Sequence, residues 1–308
     1  MSDLPKRKFR LRWWMFVVAA VLGLLIWNYW PMGPTKIELS RQTTFITGPV
    51  NGDGTPNYVG YLDAKCAAGI TAENNAAPLL LRALGPDLLP EETRAKSLKK
   101  LGLTEGIFNQ DKHFVRWRRR ARPTTMPAGA ATQATQPADD EDEEDTGPNI
   151  GDVMSQLRAG QVHPELEAWL AENASALDLI RQATKKEALY LPVMTASDPS
   201  FMLDLPIPGL VLYQEAANAL AISATIKARR GDMSAAWEDI LTCHRLARLR
   251  RPAYLVEALV CLGIEDLACK YGISLATRYL MTPEQARAVL KALAAMKPMP
   301  DPIETVDE

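Results

Sequence analysis

The chain has 308 residues, enough for one large domain or two small ones. Hydrophobic residues make up 47% and charged residues 23%, which excludes disorder throughout, a collagen-like repeat and a disulfide-dense scaffold. The formal net charge of -2 excludes a uniformly basic nucleic-acid binder, and aromatics at 7% in an Ala- and Leu-rich chain favour an all-α fold over a β-barrel.

Residues Trp13 to Trp30 read WWMFVVAAVLGLLIWNYW, interrupted only by Gly23 and Asn28. Eighteen helical residues reach about 27 Å, close to the roughly 30 Å hydrocarbon core of a bilayer. Trp13 and Trp14 mark one interface, and Trp27, Tyr29 and Trp30 the other, as amphipathic rings do at headgroup depth. Lys6, Arg7, Lys8, Arg10 and Arg12 precede the span, so the positive-inside rule predicts a basic cytoplasmic stub over 1–12. The expectation is a single-pass inner-membrane anchor over 13–30 with the rest of the chain exported. The alternatives are a cleaved signal peptide and a buried core helix. The first is opposed by bulky Trp27 to Pro31 where cleavage needs small residues, the second by the paired aromatic belts.

Residues 31–122 form the first predicted helical block. Thr43 to Ile46 is a candidate short strand, and Asn51-Gly52-Asp53-Gly54 is a turn signal. Helices are expected over Tyr58–Ala68, from Thr71 to Leu84, and from Pro90 to Leu101. Pro78 either kinks the second or shows that it starts near Ala77. Glu73, Asn74 and Asn75 could line a pocket, although capping and turns are commoner uses of such residues.

The stretch from Lys112 to Arg122 is basic with aromatics interleaved. Lys112, Arg116, Trp117, Arg118, Arg119, Arg120 and Arg122 are candidate contacts to an acidic polymer or anionic lipid. The plainer reading is a solvated segment balanced by the acidic run Asp139 to Asp145. Pro123 to Asn149, rich in Pro, Thr and acid, cannot bury enough apolar surface to offset its ordering entropy and reads as a disordered loop.

Residues 150–308 form the second block. Pro164 to Lys186 is amphipathic through Leu166, Trp169, Leu170, Leu177, Ile180 and Ala183. Helices then follow over Gly209–Arg230, Met233–Arg250 and Pro252 to about Ala276. The last of these carries Leu255, Leu259, Leu262, Leu267 and Tyr271. Thr282 caps a final helix to Met296, with Pro283 at its first position. Connections this short make consecutive helices pack antiparallel.

Catalytic and metal motifs are missing. No CxxC, HExxH, GxSxG, Walker A or GxGxxG occurs, and His113, His163 and His244 are widely separated. No metal or cofactor is expected. Of four cysteines, Cys261 and Cys269 lie about 12 Å apart along one helix, beyond disulfide reach, while Cys243 could face Cys261. The simpler reading is four small thiols on helix faces, Cys66 included. The carboxylates Glu238, Asp239, Glu257, Glu265 and Asp266 could supply acid and base roles if they faced a common cleft. The alternative is that they are solvated or pair with Arg245, Arg248, Arg250 or Arg251.

Gly231-Asp232-Met233-Ser234-Ala235-Ala236-Trp237 resembles the turn and second helix of a tetratricopeptide repeat. Ala236, Ile240 and Cys243 stand at the spacing of that family's packing positions, with the cysteine in place of a usual alanine, and Ala224 stands where its first helix takes a small residue. The match covers one repeat. Phe45–Gly54, Gly69–Gly85 and Gly231–Leu249 resemble a type of uncharacterised, N-terminally anchored exported protein of planctomycete-like bacteria. That resemblance implies an anchor and a helical ectodomain and no activity. The functional expectation is a membrane-tethered binding or scaffolding module, with membrane lipid and an envelope protein as partners and nucleic acid disfavoured. The alternative is an exported hydrolase with a dispersed carboxylate or Ser/Thr site.

Overall fold

The computed structural model describes residues 13–29, 38–109, 111–117, 150–161, 164–197 and 209–300. The expected loop over 123–149, the stub over 1–12, Trp30 and the arginines at 118, 119, 120 and 122 fall outside them. Among the described residues there are eleven α-helices and only isolated bridges in place of strands, so the fold is all-α. The chain divides into a unit ending at Thr47 and a unit beginning at Gly48.

The first unit carries helix α1 (Trp13–Tyr29), which contains Trp13, Trp14, Trp27 and Tyr29. Phe16, Val18, Val21, Leu22, Leu24, Leu25 and Ile26 are all exposed on it. Its 17 residues reach about 26 Å. Among the described residues no helix is long and apolar enough to cross a membrane. The expected strand over Thr43 to Ile46 is a turn. Thr44 N donates to Ser40 O at 2.9 Å and Thr44 Oγ1 to Ile46 O at 2.8 Å. Local hydroxyl bonds of this kind compete with strand pairing.

The second unit begins with α2 (Tyr58–Ala67), α3 (Ala77–Leu84) and α4 (Glu91–Lys100). Pro78 sits in the first turn of α3, where its missing N–H costs nothing, so it starts the helix rather than kinking it. Pro90 is the N-cap of α4 rather than its first residue. Asn75 explains the late start of α3. Its side-chain oxygen accepts from Ala77 N at 3.0 Å and Tyr190 N at 3.0 Å, and its amide donates to Tyr190 O at 3.2 Å. Asn74 accepts from Thr71 N at 2.8 Å. These asparagines satisfy backbone rather than lining a pocket. Buried Asp63 joins the same blocks. It accepts from Tyr190 OH at 2.9 Å and Val193 N at 2.7 Å, and pairs with Lys100.

The second block adds α5 (Ile150–Arg158), α6 (Pro164–Glu172), α7 (Ala174–Ala183), α8 (Leu210–Arg229), α9 (Met233–Leu249), α10 (Leu255–Arg278) and α11 (Pro283–Ala294). The single helix expected over Pro164 to Lys186 breaks at fully buried Asn173. Its amide donates to Trp169 O at 2.9 Å, and its oxygen accepts from Val115 N at 2.7 Å. A side chain that offers the backbone these partners competes with the helical ladder. Helix α8 lies at the centre. Ala216, Ala217, Ala219, Ala221 and Ala224 are buried along it, so neighbouring backbones approach closely. Asp232 caps α9 by accepting from Ala235 N at 3.0 Å, beside Gly231 at φ 86°. Thr282 and Gln285 form a reciprocal capping box on α11.

Helix α10 buries only part of the apolar set read along it, Tyr271 fully and Leu267 in part. Ala258, Cys261, Ile264, Ala268, Tyr271 and Leu275 are buried, whereas Leu255, Leu259 and Leu262 are exposed. The helix is apolar on both sides, so periodicity could not choose between them.

Candidate functional site

Helices α9 and α11 line one seam that does not close. Helix α11 contributes no buried residue to the fold. Near the start of both helices the seam opens into a cavity of about 190 Å³ walled by Met233, Trp237, Leu241, Ala288 and Val289, with Ser234, Glu238 and Gln285 also lining it. Trp237 is anchored by its Nε1, 3.1 Å from Met281 Sδ. Toward their C-terminal ends it opens into a larger cavity of about 430 Å³. There Lys185, Lys186, Arg245, Arg248 and Lys297 face a single acid, Glu187.

That charge has a local cause. Helices α7, α9 and α11 all end at this cavity, presenting carbonyl ends that favour cations. Lys186 Nζ donates to Glu73 O at 2.8 Å and Lys297 Nζ to Glu187 O at 2.6 Å. Arg245 pairs with Glu238 at 2.8 Å, and Arg248 pairs with Glu265. The backbone N–H of Lys185 donates to Gln182 O at 3.2 Å, whereas its ammonium makes no hydrogen bond or ion pair with the described residues and supplies a cation open to a partner. The seam therefore joins a mostly apolar end, which also holds Glu238, to a cationic end.

His244 of α9 meets Glu265 and Cys269 of α10 in a cluster of three potential metal ligands. Its chemistry does not suit a metal. His244 Nδ1 lies 2.9 Å from Glu265 Oε1, and Arg248 engages both oxygens of the same carboxylate. Burial opposes ionisation of Glu265, but bonds from His244 and Arg248 outweigh it and hold its pKa at about 2. Burial, with Glu265 beside it, pushes the Cys269 thiol up, away from the thiolate that binds metals. A cation would have to displace Arg248.

The carboxylates considered for acid–base work are dispersed and neutralised. Asp239 has no exposed surface and accepts from Arg181 Nε at 2.7 Å, Lys227 Nζ at 2.6 Å and Ser223 Oγ at 2.7 Å. Glu257 pairs with Arg250 and accepts from Ala253 N at 2.8 Å, at the edge of a recess of only about 30 Å³. Asp266 pairs with Lys270 on the surface at 2.6 Å. Glu257 and Glu265 thus hold separate partners rather than a shared cleft. Arg251 donates to Ala68 O at 3.1 Å instead of to an acid. The thiols are free, with Cys66, Cys243 and Cys261 buried and Cys269 exposed, so Cys243 and Cys261 are not bridged.

Part of the predicted polyanion contact is engaged in the fold. Arg116 binds Glu215 through Nε at 3.0 Å and Nη2 at 2.7 Å. The Trp117 ring stands edge-on to Trp169 with centroids 5.5 Å apart. Lys112 is exposed. The seam itself escaped the sequence reading, because nothing in a linear pattern reports that α11 lies loosely on α9.

Comparison with known proteins returns nothing similar: no family model, curated sequence or solved structure matches the chain.

Proposed function

We propose that the protein is a single-pass inner-membrane protein, N-terminus inside, whose exported helical domain is a binding module. Its partner is an envelope protein that lays an apolar segment with an acidic group into the seam between α9 and α11. The observation that carries this reading is the seam itself, open at about 190 Å³ and 430 Å³ with mostly apolar walls at one end and cations at the other. Ligand sites combine apolar walls with a few placed polar groups in this way. The saturation of Asp239, Glu257 and Glu265 by cations favours binding over an exported hydrolase. Support for the anchor comes from the exposed apolar surface of α1 and the basic residues before it. A tetratricopeptide-like hairpin of α8 and α9 fits the same reading, since such repeats present helical grooves.

A photo-crosslinking residue at Ser234 or Met296, in intact membranes, tests the site. The expected result is one reproducible protein adduct from both positions, lost when Lys185→Glu is combined with Leu241→Glu. Adducts that differ between the positions, or that survive both substitutions, would overturn it. Protease digestion of sealed spheroplasts should leave residues 1–12 protected and cut the remainder, and the reverse pattern would sink the topology.

A further inference from the structure

Helix α10 packs one side into the core and leaves the other uncovered by the described elements of the second unit. Val256, Leu259, Gly263, Asp266, Lys270, Ile273 and Thr277 lie along the exposed side with alternating spacings of three and four residues. That is the 3.5-residue period at which a helix pairs with another helix rather than with water. Six of the large exposed hydrophobics of the second unit, Leu255, Val256, Leu259, Leu262, Ile273 and Leu280, belong to this helix or the turn after it.

A second observation concerns Gly263. Glycine in a helix interior is disfavoured relative to alanine. A Cβ on Gly263 would meet only Gln214 Oε1 at 3.5 Å, an ordinary contact. The single chain therefore has no steric need for glycine at this exposed position. An external backbone or side chain approaching closely supplies one.

The pattern also specifies the partner. Val256, Leu259 and Ile273 flank its middle, which holds Asp266 and Lys270. Parallel pairing with a second copy would set Asp266 against itself. Antiparallel pairing about a two-fold axis between these residues sets Asp266 opposite Lys270 twice. The same register puts Ile273 of each copy over Gly263 of the other, and Val256 near Leu280. A two-fold interface requires this self-complementarity, in which each residue of a pair meets the other across the axis. We infer that the exposed face of α10 is a homodimer interface, formed with a second copy of this chain in antiparallel register.

Cys269 is the exposed thiol and lies near the axis, so it is the probe. The full chain in mild detergent should sediment as a dimer and give a two-chain product with a short bis-maleimide. Asp266→Lys and Lys270→Asp are exposed charge reversals, and each alone should weaken association at least tenfold with helicity unchanged. The chain carrying both changes should dimerise again, and the two single variants should associate with each other when mixed. Gly263→Leu should abolish the dimer while leaving the monomer folded by circular dichroism. A monomer throughout the concentration series would overturn the proposal. So would a dimer indifferent to all three substitutions, which is what association through α1 alone predicts. Cys269 shielded from monofunctional maleimide in a monomeric chain would also overturn it, because another part of the chain would then cover the face.

Discussion

Arg181 on α7 and Asp239 on α9 meet at 2.7 Å where the carboxylate has no exposed surface at all. Lys227 from α8 reaches the other oxygen at 2.6 Å, so one acid ties three helices together. A buried charge is tolerated only when it is paired and hydrogen-bonded, as Asp239 is on both oxygens. Asp239→Ala strands two cations at the core boundary. It should destabilise the chain by about 3–5 kcal/mol, read as a lower urea midpoint. A loss below about 1 kcal/mol would show that the triad is not a structural tie.

Glu265 makes the fold acid-sensitive. Its folded pKa of about 2 lies below its ordinary value of 4.5. The stabilisation it brings is therefore complete at neutral pH and drains away as pH falls from about 4.5 toward 2. Glu265→Gln should lower stability at pH 7 and flatten the decline across that acid range. An unchanged acid limb in paired pH-denaturation curves would contradict this.

Two glycines should respond to alanine with opposite signs. Gly209 precedes α8 with φ 73°, and a Cβ there would stand 2.7 Å from Leu88 Cδ1 and 3.0 Å from Leu88 O. Gly209→Ala should cost about 1–3 kcal/mol from the left-handed backbone and the backbone clash together. Gly263→Ala, measured at concentrations that keep the chain monomeric, should instead gain about 0.5–1 kcal/mol. Thermal melts of the two variants side by side decide the matter.

Thiol reactivity should be confined to one site. Burial pushes the Cys66 and Cys261 thiols up to about 11, and Cys243 upward as well in the closed core. In dilute native protein at pH 7.5, about the usual assay pH, a maleimide should label Cys269 quickly and the other three only after denaturant is added. Rapid labelling of Cys243 in the native state would mean that α8 and α9 part more readily than their packing implies.

Much of this architecture is legible without coordinates. Apolar residues at helical spacing, with Pro283, Asp232 and Gly231 as punctuation, locate α8 to α11 to within a few residues, because caps and breakers act locally. Pro78 and Asn75 show the limit of that logic. Both alternatives for Pro78 obeyed local rules, and the distant Tyr190 backbone selected the later start. Asn173 breaks a well-patterned amphipathic helix for the same reason, its partner Val115 lying far away in sequence. Helix α5 passed unread because its apolar residues Val153, Met154 and Leu157 span barely one turn.

Composition and periodicity thus settle that the chain is helical, where most helices run and which residue types they carry. They do not settle which side of a helix faces inward when both sides are apolar, and α10 is the case in point. Leu255, Leu259 and Leu262 look like core and are exposed, while Cys261, Ile264 and Tyr271 hold the inner side. Nor do they assign ion-pair partners, since Arg181, Lys227 and Asp239 come from three helices and only packing brings them within reach. Local propensity is written in neighbouring residues, whereas facing and pairing depend on contacts that exist only after the helices have packed.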